Sequence, residues 1–140
     1  MSKILVPVDG SKQADAALRH AIEMLRDRND AKVVVVNIQA SLPGTVSTVI
    51  SAKTLKAYHI EEGNKILAKS VAALKKAGIA HDTHVAVGDP ALEIAAQVKS
   101  TKCDAVIMGS RGLGVFGGMV LGSVATKVVN LVDVPVTLVK

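Results

Sequence analysis

Aromatic residues are almost missing from this chain of 140: Tyr58 and Phe116 stand alone, and there is no tryptophan. Proteins that grip single-stranded nucleic acid usually stack bases on several aromatic faces, a surface two rings cannot make. The core must therefore be assembled from Val, Ile, Leu and Ala. Cys103 is the only cysteine, so no internal disulfide can form and no oxidising compartment is required; its expected place is a small, semi-buried position leading into a strand. No stretch reaches 18 consecutive apolar residues, so membrane insertion is not expected. The opening residues Lys3-Ile4-Leu5-Val6 run straight into a strand without a signal-type segment, and a cytoplasmic location is the expectation. The net charge of +5 favours anionic ligands in general. Lys and Arg are nevertheless scattered rather than gathered into a basic run, and no nucleic-acid partner is expected.

What is present is a globular balance, 49% hydrophobic and 21% charged, with a βαβ rhythm. Apolar, β-branched runs recur at about residues 3–8, 32–38, 83–87, 104–109 and 134–139, and helical periods fill most of the intervals. Ala14, Ala17, Leu18, Ala21, Ile22 and Leu25 form one stripe on the first helix, with Ser11 able to cap its start. The second helix carries Ile60, Leu67, Val71 and Leu74 and stops at Gly78. Asp89-Pro90 opens the third, and Val124, Val128 and Leu131 give the fourth its buried face. Runs such as Val33-Val34-Val35-Val36 and Ala105-Val106-Ile107-Met108 are apolar throughout, as a parallel sheet covered on both faces requires. The expected architecture is a single domain over residues 1–140: an α/β, doubly wound, open parallel five-stranded sheet of order 3-2-1-4-5, Rossmann-like, with helices on both faces. The stretch from Ser41 to about Ser51 is the one long connection and a candidate lid.

Met108-Gly109-Ser110-Arg111-Gly112, nine further residues, then Gly122-Ser123 is the most informative string. A glycine-rich loop followed by a helix start offers backbone N–H groups free of side chains and the positive end of a helix dipole, a combination that binds phosphate. Ser123 would add a hydroxyl and Arg111 a charge; a side chain at Gly109 or Gly122 would fill the phosphate volume. The plain alternative is a flexible loop turning over the sheet edge. Pro7-Val8-Asp9-Gly10-Ser11 lies at the end of the first strand, and ligands of open α/β sheets sit outside strand carboxyl ends where strand order reverses. Asp9 would accept hydrogen bonds from ribose hydroxyls or hold a metal on the phosphates, or else serve only as a turn carboxylate.

With these residues in view, the sequence resembles a universal stress protein of the ATP-binding type over essentially its whole length. The resemblance is carried by Lys3 to Ser11, by Gly88-Asp89-Pro90, by the G-x2-G-x9-G-S string from Gly109 to Ser123, and by the ending Val134-Pro135-Val136-Thr137-Leu138-Val139. It implies ATP as ligand, with ADP or AMP as alternatives and Mg²⁺ on the phosphates, Asp9 being the candidate metal contact. Pro7, Val8 and Asp9 would line the adenine and ribose side, with Ile38 packed on the adenine. Met108, Gly109, Arg111, Gly112, Gly122, Ser123 and Val124 would surround the phosphates; Arg111 stands where relatives vary. The resemblance also implies a homodimer in which the last strand, Val134, Pro135, Val136, Thr137, Leu138 and Val139, pairs with its copy. An apolar, nearly uncharged edge strand needs such covering, and Pro135 suits an edge.

Other signatures fit poorly. Gly112-Leu113-Gly114-Val115-Phe116-Gly117 spells G-x-G-x-x-G, but Asp133 precedes the last strand and no second strand ending in a ribose-binding acid follows. The G-x4-G-K-[ST] loop is absent, and with it the lysine that stabilises a transferring phosphoryl group, so fast hydrolysis is not expected. The four histidines, 20, 59, 81 and 84, lack metal spacing and read as ordinary surface residues. The leading expectation is a nucleotide-binding stress-response or regulatory module whose occupancy is read by a protein partner the sequence does not name. The alternatives are a slow ATP hydrolase or phosphotransferase using Asp9 and a divalent metal, and a dimeric adaptor binding AMP or no nucleotide.

Overall fold

The computed structural model describes residues 2–42, 44, 49–111 and 121–140. Nine elements alternate along them: β1 (Ser2–Pro7), α1 (Lys12–Leu25), β2 (Ala31–Gln39), α2 (Ala52–Ala77), β3 (Ala80–Val87), α3 (Pro90–Thr101), β4 (Ala105–Gly109), α4 (Ser123–Leu131) and β5 (Val136–Val139). The strands form one parallel sheet of order β3-β2-β1-β4-β5, as the sequence reading expects. Both crossovers on the β2 side pass over one face and both on the β4 side over the other, so strand order reverses between β1 and β4.

Alternation along each strand divides the core. Ile4, Val6, Val33, Val35 and Ile107 pack beneath α1 and α2, while Leu5, Val34, Val36, Val106 and Met108 pack beneath α3 and α4. Strands buried on both faces have no polar side to show, which is why their sequences are continuously apolar. Every residue of the α1 stripe is buried. The Cys103 thiol is buried under α3, and burial pushes its pKa up.

Two helical faces differ from the periodicity. On α2 the buried residues are His59, Gly63, Leu67, Ser70 and Leu74, whereas Ile60 is exposed. The reason is close approach: a Cβ at Gly63 would stand 2.5 Å from a Val85 methyl, so α2 turns its small residues toward β3. On α4, Ala125 and Val128 are buried and Leu131 is 42% exposed, because the helix again faces the sheet with its smaller side chain. His59 also departs from the surface-histidine reading, being buried with no hydrogen-bond partner for Nδ1 among the described residues. β3 starts at Ala80 and β5 at Val136, each shifted by two or three residues from its sequence-based start. Part of the candidate lid between Ser41 and Ser51, at 43 and 45–48, lies outside the described residues. Among the described residues no helix is long and apolar enough to cross a membrane.

Candidate functional site

The turn after β1 is built by local chemistry. Gly10 adopts φ +86°, a left-handed conformation that costs glycine little. The Ser11 amide donates to Asp9 Oδ1 at 2.9 Å, and the Ala14 amide donates to Ser11 Oγ at 3.1 Å, capping α1. The turn is also braced from below: Val8 donates its N–H to Val36 O at 2.8 Å, and the buried Asn37 amide donates to Val8 O at 2.8 Å. Gln39 Nε2 in turn donates to Asn37 Oδ1 at 2.6 Å. Asp9 therefore has an observed role as a turn carboxylate.

On the other side of the reversal point, β4 ends at Gly109 against α1. A Cβ there would lie 2.8 Å from Gln13 Cβ and 3.0 Å from the Gln13 carbonyl carbon. This corrects the simplest reading of Gly109: its missing side chain first makes room for α1, before any ligand is considered. Ser110 prolongs the ladder, its N–H donating to Val139 O at 2.8 Å, and its carbonyl accepts the Gly122 N–H at 2.7 Å. The Gly122 amide is thus engaged by protein. The Ser110 side chain is 2% exposed, and its hydroxyl has no hydrogen-bond partner among the described residues.

α4 then begins at Gly122 (φ −73°, ψ 162°) with no side-chain cap. Its first turn closes through Thr126 N–H donating to Gly122 O at 3.1 Å. Ser123, Val124 and Ala125 keep their amides without an acceptor among the described residues, the orphan donors every helix start presents. α1, α2 and α3 differ, each having a side-chain oxygen, from Ser11, Ser51 or Asp89, on its first turn.

These pieces enclose one cavity of about 240 Å³ at the carboxyl ends of β1 and β4. Of the residues singled out from sequence, Pro7, Val8 and Asp9 line it from β1, Ile38 from β2, and Met108, Gly109 and Arg111 from β4 and its exit. Gly122, Ser123 and Val124 line it from the start of α4. Gly112 lies outside the described residues, as do 113–120 between it and Leu121. The wall also includes Ser11 and Ser110, which lie inside the motif strings without having been named as contacts, and Ala14, Pro90, Ile94 and Ala125, which the motif reading did not place at the site. Ala125 lies three positions beyond Gly122, and Ile94 four beyond Pro90, so helical spacing along α3 and α4 is the signal that points to them.

The cavity is polarised. Val8, Ile38, Ile94 and Met108 make an apolar wall suited to a flat heterocycle, while the α4 amides, Ser123 and Arg111 make an end suited to an anion. Asp9 is the one carboxylate among the described wall residues, and no group of three metal-ligating side chains occurs among the described residues.

Three comparisons bear on this geometry. A family model described as the universal stress protein family matches residues 1–140. Universal stress protein MJ0531 of Methanocaldococcus jannaschii is 32% identical over 142 residues, covering 99% of this chain and 81% of the relative. The solved structure of hypothetical protein MJ0577 superposes with a TM-score of 0.87 at 27% identity, covering 99% of this chain and 95% of that one. The universal stress protein from Archaeoglobus fulgidus, solved in complex with dAMP, superposes with a TM-score of 0.69 at 26% identity, covering 100% and 98%.

Proposed function

This chain belongs to the universal stress protein family, and from that premise we propose that it is an adenine-nucleotide-binding regulatory module whose ligand is ATP. The observation that carries the reading is the bare first turn of α4, three amides without acceptors among the described residues, opening onto a cavity with an apolar wall. Adenine packs on Val8 and Ile38, and the phosphates meet the amides of Ser123 to Ala125, where the helix dipole favours negative charge. The dAMP held by the Archaeoglobus fulgidus relative supports an adenine nucleotide in a cavity of this fold. Mg²⁺ would travel with the phosphates, with Asp9, the one carboxylate among the described wall residues, as the candidate contact. Occupancy would be read by a protein partner.

The same proposal includes a homodimer through β5. Among the described residues this strand pairs only with β4, and Val136, Leu138 and Val139 are half-buried while Thr137 is exposed. An apolar edge with unused backbone groups favours pairing with a second copy.

Thermal melting with Mg·ATP, ADP, AMP and NAD tests the nucleotide reading. A ligand at a hundredfold excess over its Kd stabilises the folded state by about 2.7 kcal/mol. Adenine nucleotides are expected to raise the melting temperature, and NAD to leave it unchanged. No shift with any adenine mononucleotide overturns the reading.

A further inference from the structure

We infer that Asn37 is a positioning residue of the nucleotide site: its side-chain amide takes the place of the Ile38 N–H on the Val8 carbonyl, which keeps the Ile38 peptide unpaired at the cavity for hydrogen bonds to the ligand; the inference rests on the nucleotide reading above. Peptide groups along β2 turn alternately to its two neighbouring strands. Val36 faces β1, its carbonyl accepting the Val8 N–H at 2.8 Å, and Gln39 faces β3, its carbonyl accepting the Gly88 N–H at 3.0 Å. Ile38, two residues beyond Val36, therefore turns its N–H and C=O toward β1, where a continued ladder would put the Ile38 N–H on the Val8 carbonyl. That bond is absent among the described residues, and Val8 O instead accepts Asn37 Nδ2 at 2.8 Å.

Packing alone does not call for a polar residue here. Asn37 follows Val33-Val34-Val35-Val36, is 1% exposed, and by alternation shares the sheet face of Val33 and Val35. Another valine would fill that position with no polar group to satisfy, and the Ile38 N–H would then close on Val8. Burying an amide is costly unless both of its ends are paired, and here both are: Nδ2 donates to Val8 O, and Oδ1 accepts Gln39 Nε2 at 2.6 Å. The bond from Gln39 fixes which end of the Asn37 amide points at Val8. Val8 and Ile38 line the cavity while Asn37 and Gln39 do not, so the pair acts through its neighbours. It leaves one peptide donor and one peptide acceptor beside the apolar wall, an arrangement that matches a flat heterocycle carrying an acceptor and a donor along one edge.

Isothermal titration with AMP and ATP, paired with hydrogen exchange of the Ile38 amide read by NMR with and without AMP, is carried out on wild type, Asn37→Leu and Gln39→Leu. In the ligand-free wild type the Ile38 amide should exchange faster than those of Asn37 and Gln39, which face β3, and AMP should slow it. In Asn37→Leu the ladder closes: Ile38 exchange should slow without any ligand, and affinity for AMP and ATP should fall about tenfold. A merely structural Asn37 predicts the opposite exchange result, because a loosened strand end exchanges faster. Gln39→Leu removes only the donor that orients the amide, from a half-buried position. Its affinity for both nucleotides should fall about threefold, and unchanged affinity there overturns the inference even where Asn37→Leu does not fold. Ile38 exchange that is equal or faster in Asn37→Leu, or AMP affinity within about twofold of wild type, overturns the inference while leaving the nucleotide reading intact. Wild type that binds neither nucleotide overturns both readings together.

Discussion

α3 and α4 cover the same face of the sheet and both present their first turns to the same cavity, yet one start is sealed and the other is open. At α3, Asp89 accepts the Leu92 amide at 3.1 Å, Pro90 has no N–H to leave free, and Glu93 adds a second acid to the first turn. At α4, Gly122 offers no side chain and the first turn contains no acid. A helix start capped by glycine instead of Ser, Thr, Asn or Asp forgoes only a few tenths of a kcal/mol, but it leaves its amides open to a bound anion. On the proposed function, fold stability and ligand binding are divided between two copies of one structural feature, with α3 serving the first and α4 the second.

The largest expected effect comes from turning α4 into α3. In Gly122→Asp the backbone conformation, φ −73° and ψ 162°, accepts an L residue, and the new carboxylate caps the helix. Melting of the ligand-free protein should rise by the equivalent of a few tenths of a kcal/mol, while nucleotide affinity falls on the order of a hundredfold through charge repulsion and loss of the free amides. A variant that is both capped and still tight-binding breaks the comparison. Next is Gly109→Val, which meets Gln13 before it meets any ligand; denaturant unfolding should show a loss of roughly 1–3 kcal/mol from overpacking. Unaltered stability there would assign Gly109 to the ligand alone. The smallest effect is expected from Asp89→Ala, which uncaps α3: stability should drop by about 1 kcal/mol and nucleotide affinity should stay within twofold. An affinity change as large as that of Gly122→Asp would mean that α3 is also a ligand element.

Much of this was legible along the chain because the signals are local. The α1 stripe, Ser11 and Asp89 as caps, Pro90 at the first helical position and Gly78 as a left-handed terminator all depend on neighbours within a turn or so. The motif residues Pro7, Val8 and Asp9 and, from the glycine string, Met108, Gly109, Arg111, Gly122 and Ser123 also line the cavity, since they sit at or next to strand ends whose order the βαβ rhythm dictates. The misreadings involve partners remote in sequence. Ile60 looked like the buried side of α2, but Val85 requires the close approach that only Gly63 permits. His59 looked like a surface histidine until that same rotation of α2 carried it inward.

By itself the order of residues determined where strands and helices alternate, which faces are apolar, and that the glycine string lies at the end of a strand, because propensity, capping and hydrophobic period act over a few residues. Only the tertiary structure decided which of the four helix starts among the described elements would remain uncapped above a cavity, that Gly109 answers to Gln13, that Asn37 holds Val8, and that the Ser110 peptide is tied to both Val139 and Gly122. Those outcomes depend on hydrogen bonds and steric contacts between segments tens of residues apart, which exist only once the sheet has brought their ends together.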